Sequence, residues 1–242
     1  MHSEGPMIVG EGIVKKFGAL IKEAEKQTIE AMKEGRIPTE PKITGHFLGQ
    51  IETVFKEQGQ DDHILFKPWY LRDQGPTSAN DATEREFGAD FCGVLDVRLK
   101  EFTQAKGFLC QAKMNGRGVS IESTFPPTAV SVSQGKGSEE LGKQVANMLG
   151  VTHESFVIVY SDERFVVIPA TSVQGLTGTG PVYGKPVDRF FKEFLMCFVG
   201  DPRLKASDHD SLQRLRERTN SRNALMIQVV ETDSWKERIC ER

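Results

Sequence analysis

Asp90, Gln111 and Lys113 are the residues whose types and spacing could do chemistry together. Asp90 follows Gly88-Ala89 at the head of the apolar run 89–99, and Gln111-Ala112-Lys113 closes a second run over 107–114. Side chains alternate along a strand, so Gln111 and Lys113 share a face from which Ala112 turns away. If the two runs pair as an antiparallel hairpin, Asp90 at the start of one comes near Lys113 at the end of the other. A carboxylate, an amide oxygen and an ammonium then converge at one end of a sheet. Magnesium prefers octahedral oxygen ligands, takes one or two carboxylates, and leaves positions for water and phosphate. Asp90 would bind such an ion and the Gln111 carbonyl would add a neutral oxygen. Lys113 would position the attacking water and offset charge growing on the phosphoryl oxygens. The chemistry predicted from this set is metal-assisted phosphodiester hydrolysis, in which positioning and electrostatics do most of the work.

The elements that must position these groups follow from periodicity. Ile13, Phe17, Leu20, Ile21, Ala24 and Met32 recur at helical steps and predict an amphipathic helix over 11–34, ended by Pro38 and Pro41. A second helix is predicted over 44–57, with Phe47, Leu48, Ile51, Val54 and Phe55 on one stripe and Glu52 at its margin. The run 63–72 contains Pro68 and reads as an interrupted or edge strand, followed by a polar loop over 73–83. The central hairpin comes next, its arms joined by the polar stretch Lys100 to Lys106. An extended piece over 119–133 with Pro126-Pro127 leads through Gly135 and Gly137 to a helix over 139–149, with Ser138 as its N-cap. A strand pair over 155–160 and 165–169, a loop marked by Gly175, Gly178 and Gly180, helices over 187–199 and 204–218, and a strand over 224–230 complete the chain. Helices that precede and separate β-runs give an α/β class around one mixed sheet, with no linker marking a second domain.

Composition narrows the function classes. At 242 residues, 38% hydrophobic and 27% charged, the chain is neither a disordered segment nor a coiled coil, and no window is apolar enough to span a membrane. The N-terminus lacks a secretory pattern, and Cys92, Cys110, Cys197 and Cys240 are scattered without CxxC spacing. Reduced thiols in a cytoplasmic protein are the expectation. The five histidines are dispersed, which removes zinc and His-based sites. Gln134-Gly135-Lys136-Gly137-Ser138 lacks the full phosphate-loop pattern and reads as a glycine turn. A net charge of −3 makes any nucleic-acid surface local. One candidate is 203–222, where six basic residues, including Arg214 and Arg218, face three acids.

Glu86-Phe87-Gly88-Ala89-Asp90 followed by Gln111-Ala112-Lys113 resembles the PD-(D/E)xK, restriction-endonuclease-like nucleases, over roughly residues 44–170. The closer likeness is to Mrr-like members and nuclease domains of bacterial anti-phage systems, where the middle acid gives way to QxK. The resemblance implies a restriction-endonuclease-like core over 43–175, with a central mixed sheet flanked by helices. Residues 1–42 would be an N-terminal helical extension and 176–242 a C-terminal extension packed on that core. It implies Asp90, Gln111, Lys113 and Glu52 as catalytic residues and Mg2+ or Mn2+ as cofactor. Glu52 fits the glutamate that a preceding helix often adds to the metal site. Gln111 is neutral, so the site is one negative charge short of the main pattern, and Glu52 or Glu86 would strengthen the hold on the cation. Gln144, ahead of Lys143, would approach the phosphate from the following helix, and Arg117, Arg214 and Arg218 are further backbone contacts. The implied function is a metal-dependent endonuclease of low sequence specificity on double-stranded DNA, in prokaryotic defence or restriction. Cutting both strands implies a homo-oligomer or a regulatory partner. The alternatives are a catalytically silent DNA-binding or scaffold subunit, and an RNA or transfer-RNA nuclease.

Overall fold

The computed structural model describes residues 9–60, 63–72, 89–100, 102–116, 119–121, 129–132, 138–174 and 181–232. Glu86, Arg117, Cys240, the loop over 73–83, the Pro126-Pro127 segment and the glycine segments over 133–137 and 175–180 lie outside them.

The first apolar stripe becomes α1 (Glu11–Lys33), which buries Val14, Phe17, Leu20, Ile21 and Ala24. It stops before either proline. Gly35 takes φ +71°, and the amides of Gly35 and Arg36 bond the carbonyls of Met32 and Ala31, the paired bonds of a Schellman stop. Pro41 starts a helix rather than ending one. In α2 (Glu40–Gln58) Thr39 is the N-cap residue and the proline falls in the first turn, where its missing N–H forfeits no helical bond. The helix therefore begins before the predicted 44, and Glu40 is its first residue.

The strands are β1 (Ile64–Leu71), β2 (Ala89–Leu99), β3 (Phe102–Met114), β4 (Val119–Ile121) and β5 (Ala129–Val132), followed by α3 (Ser138–Val151), β6 (Ser155–Tyr160) and β7 (Phe165–Pro169). Then come α4 (Ala170–Gln174), β8 (Pro181–Tyr183), β9 (Lys185–Pro186), α5 (Val187–Leu195), α6 (His209–Arg218) and β10 (Ser221–Glu231). A mixed seven-stranded sheet runs in the order β1-β10-β2-β3-β6-β7-β9, and β4-β5-β8 form a small second sheet. β1 is the edge strand its proline required. β10 lies inside the sheet, antiparallel to β1 and parallel to β2, so the C-terminal region supplies an interior strand.

The hairpin connection is shorter than its polarity predicted. Leu99 pairs with Phe102, and Gln104 and Lys106 lie within β3 opposite Val97 and Leu95. Lys106 tolerates burial there because its ammonium donates to the Val199 carbonyl at 2.5 Å and lies 5.1 Å from the centroid of the Phe194 ring. The last two helices are also shorter than expected. α5 gives way to a bend in which Cys197 and Gly200 have φ of +67° and +113°, and α6 begins at a capping box between Asp208 and Ser211.

Strand alternation divides the apolar residues between two faces. Phe91, Leu95, Phe108, Cys110 and Ala112 pack with α1, α2 and α5, whereas Cys92, Val94 and Leu109 pack with α3, α4 and α6. The result is a three-layer α/β architecture with the sheet as its middle. Among the described residues no helix is long and apolar enough to cross a membrane.

Candidate functional site

One end of the sheet gathers the C-termini of β1, β3 and β6 and the N-termini of β2 and β10. The registers fix this: Leu71 opposes Ala224, Ser221 opposes Ala89, Phe91 opposes Cys110, and Met114 opposes Tyr160. Asp90 stands one residue inside the head of β2, on the face it shares with Cys92 and Val94. Continuing the pairing past Phe91 and Cys110 sets Asp90 opposite Gln111, with Lys113 two residues farther along. Asp90 Oδ2 accepts from the Gln111 amide nitrogen at 2.5 Å and from the Ala112 main-chain N–H at 2.9 Å. Its own carbonyl accepts from Asn223 Nδ2 at 3.0 Å, and Asn223 Oδ1 in turn accepts from the Tyr70 hydroxyl at 3.1 Å. Both ends of this residue are therefore fixed.

The electrostatics are those of a buried acid among charges. Asp90 is only 9% exposed, Gln111 4% and Lys113 7%. Burial pushes the Asp90 carboxyl above its ordinary value, against the Ala112 N–H and the charges of Arg222 and Lys113, while Glu40 pushes it further up.

Glu40 is the site residue that sequence reading missed. Its Oε2 accepts from the Met114 N–H at 2.9 Å, and its Oε1 lies 3.9 Å from the Lys113 ammonium. The first turn of α2 is held in place by Tyr160, whose buried hydroxyl meets Thr44 Oγ1 at 3.1 Å, while Thr44 donates back to the Glu40 carbonyl at 3.0 Å. The available signal was Thr39-Glu40-Pro41, an N-cap residue followed by an acid and a first-turn proline.

The other candidates sort by position. Glu52 is twelve residues along α2 from Glu40, about 18 Å down the helix axis, and pairs with Lys56 at 2.8 Å. It is not brought to Asp90. Glu86 and Arg117 lie outside the described residues. Lys143 is exposed on α3. Gln144 donates to Glu140 at 3.4 Å, and its buried Oε1 has no partner among the described residues. Arg214 is exposed on α6, and Arg218 donates to the Arg203 carbonyl at 3.1 Å. Asp96, on the same face of β2 as Asp90, is tied to Arg98 at 2.7 Å and Gln228 at 2.8 Å, a structural arrangement.

Among the described residues no cluster of three or more His, Cys, Asp and Glu side chains could cage a metal. A hard divalent cation does not require one, since magnesium is commonly held by one or two carboxylates with waters and substrate oxygens. Asp90 and Glu40 are the carboxylates at this sheet end, and the charge of Glu40 is felt at Asp90. Gln111 departs from expectation. Its Nε2 faces Asp90 and, at 3.5 Å, the Ala112 carbonyl, so in this orientation the amide steadies the carboxylate instead of directing its oxygen to the same point. No protein-family profile, no curated protein and no solved structure matches the chain.

Proposed function

We propose that the chain is a metal-dependent endonuclease with its active site at this sheet end. The observation that carries the reading is the meeting of Asp90, Gln111, Lys113 and Glu40, four polar groups from α2, β2 and β3. The resemblance to PD-(D/E)xK nucleases supports the assignment, because a helix, α2, precedes the β2–β3 hairpin and another, α3, follows it, the order that the resemblance implies. Asp90 and Glu40 would hold Mg2+ or Mn2+. When bound, that ion supplies positive charge to the phosphate and lowers the pKa of water. Lys113 orients the water and offsets charge on the phosphoryl oxygens. Gln111 and the Ala112 N–H keep the Asp90 carboxylate at one angle.

The same resemblance supports DNA as substrate, low sequence specificity, and a cytoplasmic role in prokaryotic defence. One site cuts one strand, so double-strand cleavage needs two copies opposed or a partner protein. A catalytically silent DNA-binding subunit is the second reading, favoured by the Gln111 amide nitrogen turned toward Asp90.

Plasmid nicking with magnesium tests the choice. Wild type should nick, and Asp90→Ala and Lys113→Ala should each lose about 10²-fold or more, the scale for removing one electrostatic group from a transition state. Equal nicking by all three proteins would exclude this site. Nicking by none would favour the silent subunit, and the same series with RNA separates the substrate classes, because the metal site alone does not read the sugar.

A further inference from the structure

The basic run over 203–222 is sorted by tertiary structure. Arg203 is occupied by Asp201, whose two carboxylate oxygens accept from its guanidinium at 2.7, 3.0 and 3.1 Å. Arg218 bonds the Arg203 carbonyl. Arg216, in the last turn of α6, reaches elsewhere: its Nη1 donates to the main-chain carbonyl of Arg72 at 3.1 Å and pins the helix to the end of β1. Arg72 is exposed just past Leu71, with its guanidinium carbon 5.9 Å from the centroid of the Tyr70 ring. Arg222 enters β10 between Ser221, opposite Ala89, and Asn223, opposite Phe91, which sets it beside Asp90. Three cations separated by up to 150 residues of chain thus share the sheet end that holds Asp90.

Their placement is one-sided. β10 and β1 are the first and second neighbours of β2 on one flank, about 5 and 10 Å away at ordinary strand spacing, while Lys113 stands on β3 on the other flank. We propose that Arg72, Arg216 and Arg222 form the margin that grips a nucleic-acid backbone beside the cut, holding phosphates on the β1 side of Asp90 while Lys113 faces the scissile phosphate. This rests on the nuclease reading and adds to it the direction in which substrate leaves the site. At about 3.4 Å of duplex axis per nucleotide, a 10 Å margin covers roughly three nucleotides past the cut. Contacts of this kind position a polyanion and carry no base information, in keeping with low sequence specificity.

Salt dependence of binding tests the margin independently of cleavage. Asp90→Ala protein removes cutting, and fluorescence anisotropy follows a labelled duplex of about 20 base pairs in rising NaCl without divalent ions. Added to that protein, Arg72→Gln, Arg216→Gln and Arg222→Gln should each weaken binding and flatten the slope of log K against log [NaCl] by about 0.9. The Lys substitutions at the same positions should restore the slope, which separates lost charge from lost folding. Lys15→Gln, in the first turns of α1, should leave it unchanged. Unchanged slopes in all three Gln variants, with binding intact, overturn the margin and leave the nuclease reading standing. Wild-type protein that nicks no plasmid, together with Asp90→Ala protein that binds no duplex, overturns both.

Discussion

Asp90 is a carboxyl that the fold makes reluctant to ionise and then surrounds with groups suited to its ionised form. Burial raises its pKa, while the Ala112 N–H and the charges of Arg222 and Lys113 oppose that rise. A divalent cation held at this site would favour the ionised form of Asp90, so folding and metal binding would be linked. In thermal unfolding, saturating Mn2+ at 100 times its Kd should stabilise wild type by about 2.7 kcal/mol, a rise of roughly 5–10 °C for a chain of this size. Asp90→Asn and Glu40→Gln should each lose most of the rise, whereas Glu52→Gln should keep it. The sign with pH is set by competition between proton and cation. Asp90 holds its proton to higher pH than an ordinary aspartate, so the rise should shrink on acidification and begin to do so above the usual carboxylate range. A rise retained in Asp90→Asn would move the cation elsewhere.

At the scale of elements, α1 carries a buried acid where its stripe meets β7. Glu25 accepts from the Phe165 N–H at 2.6 Å, and burial lifts its pKa to about 7, against the bond from Phe165 and with help from Asp188. An ordinary glutamate in the unfolded chain releases its proton near 4.5. Below that value both states are protonated and the group is neutral toward folding. Between 4.5 and 7 the unfolded chain ionises while the folded one does not, so stability falls as pH rises, reaching a loss of about 3 kcal/mol above 7. Glu25→Gln keeps an acceptor for Phe165 and abolishes that slope. Urea denaturation should find the variant more stable than wild type by about 1–3 kcal/mol at pH 8 and equal to it near pH 4. An equal difference at both pH values would assign the effect to packing rather than charge. The neighbouring α2 shows how an element locates chemistry. Moving its start from 44 to 40 replaces Glu52 with Glu40 as the residue at the sheet end, because twelve helical positions amount to about 18 Å.

For the whole molecule, the helical layer over Asp90's sheet is held by aromatic packing around Phe108. Its ring meets Phe91, Phe156, Phe190, Phe191 and Phe194 edge to face at centroid distances of 4.9–6.0 Å. Gly93, opposite Phe108 in the hairpin, leaves the space that ring occupies, since a Cβ there would lie 2.4 Å from it. The ring is hemmed by its neighbours, so Gly93→Ala should cost about 1–3 kcal/mol and lower the urea midpoint. An unchanged midpoint would mean that the cluster can shift. The amino-acid sequence by itself determined the α/β class, the edge character of β1, the β2–β3 hairpin, and β6 and β7 at their observed limits, because apolar periodicity and turn residues are local properties. It also brought Asp90, Gln111 and Lys113 together, since a hairpin relates residues through its own register. Only the tertiary structure decided that β10 inserts between β1 and β2, that Glu40 rather than Glu52 meets Lys113, and that Arg72, Arg216 and Arg222 lie at the sheet end of Asp90. Those contacts join residues from about 70 to about 170 positions apart. They depend on which strand lies beside which and on how far along its axis a helix begins, and neither leaves a periodic mark in the local pattern of residues.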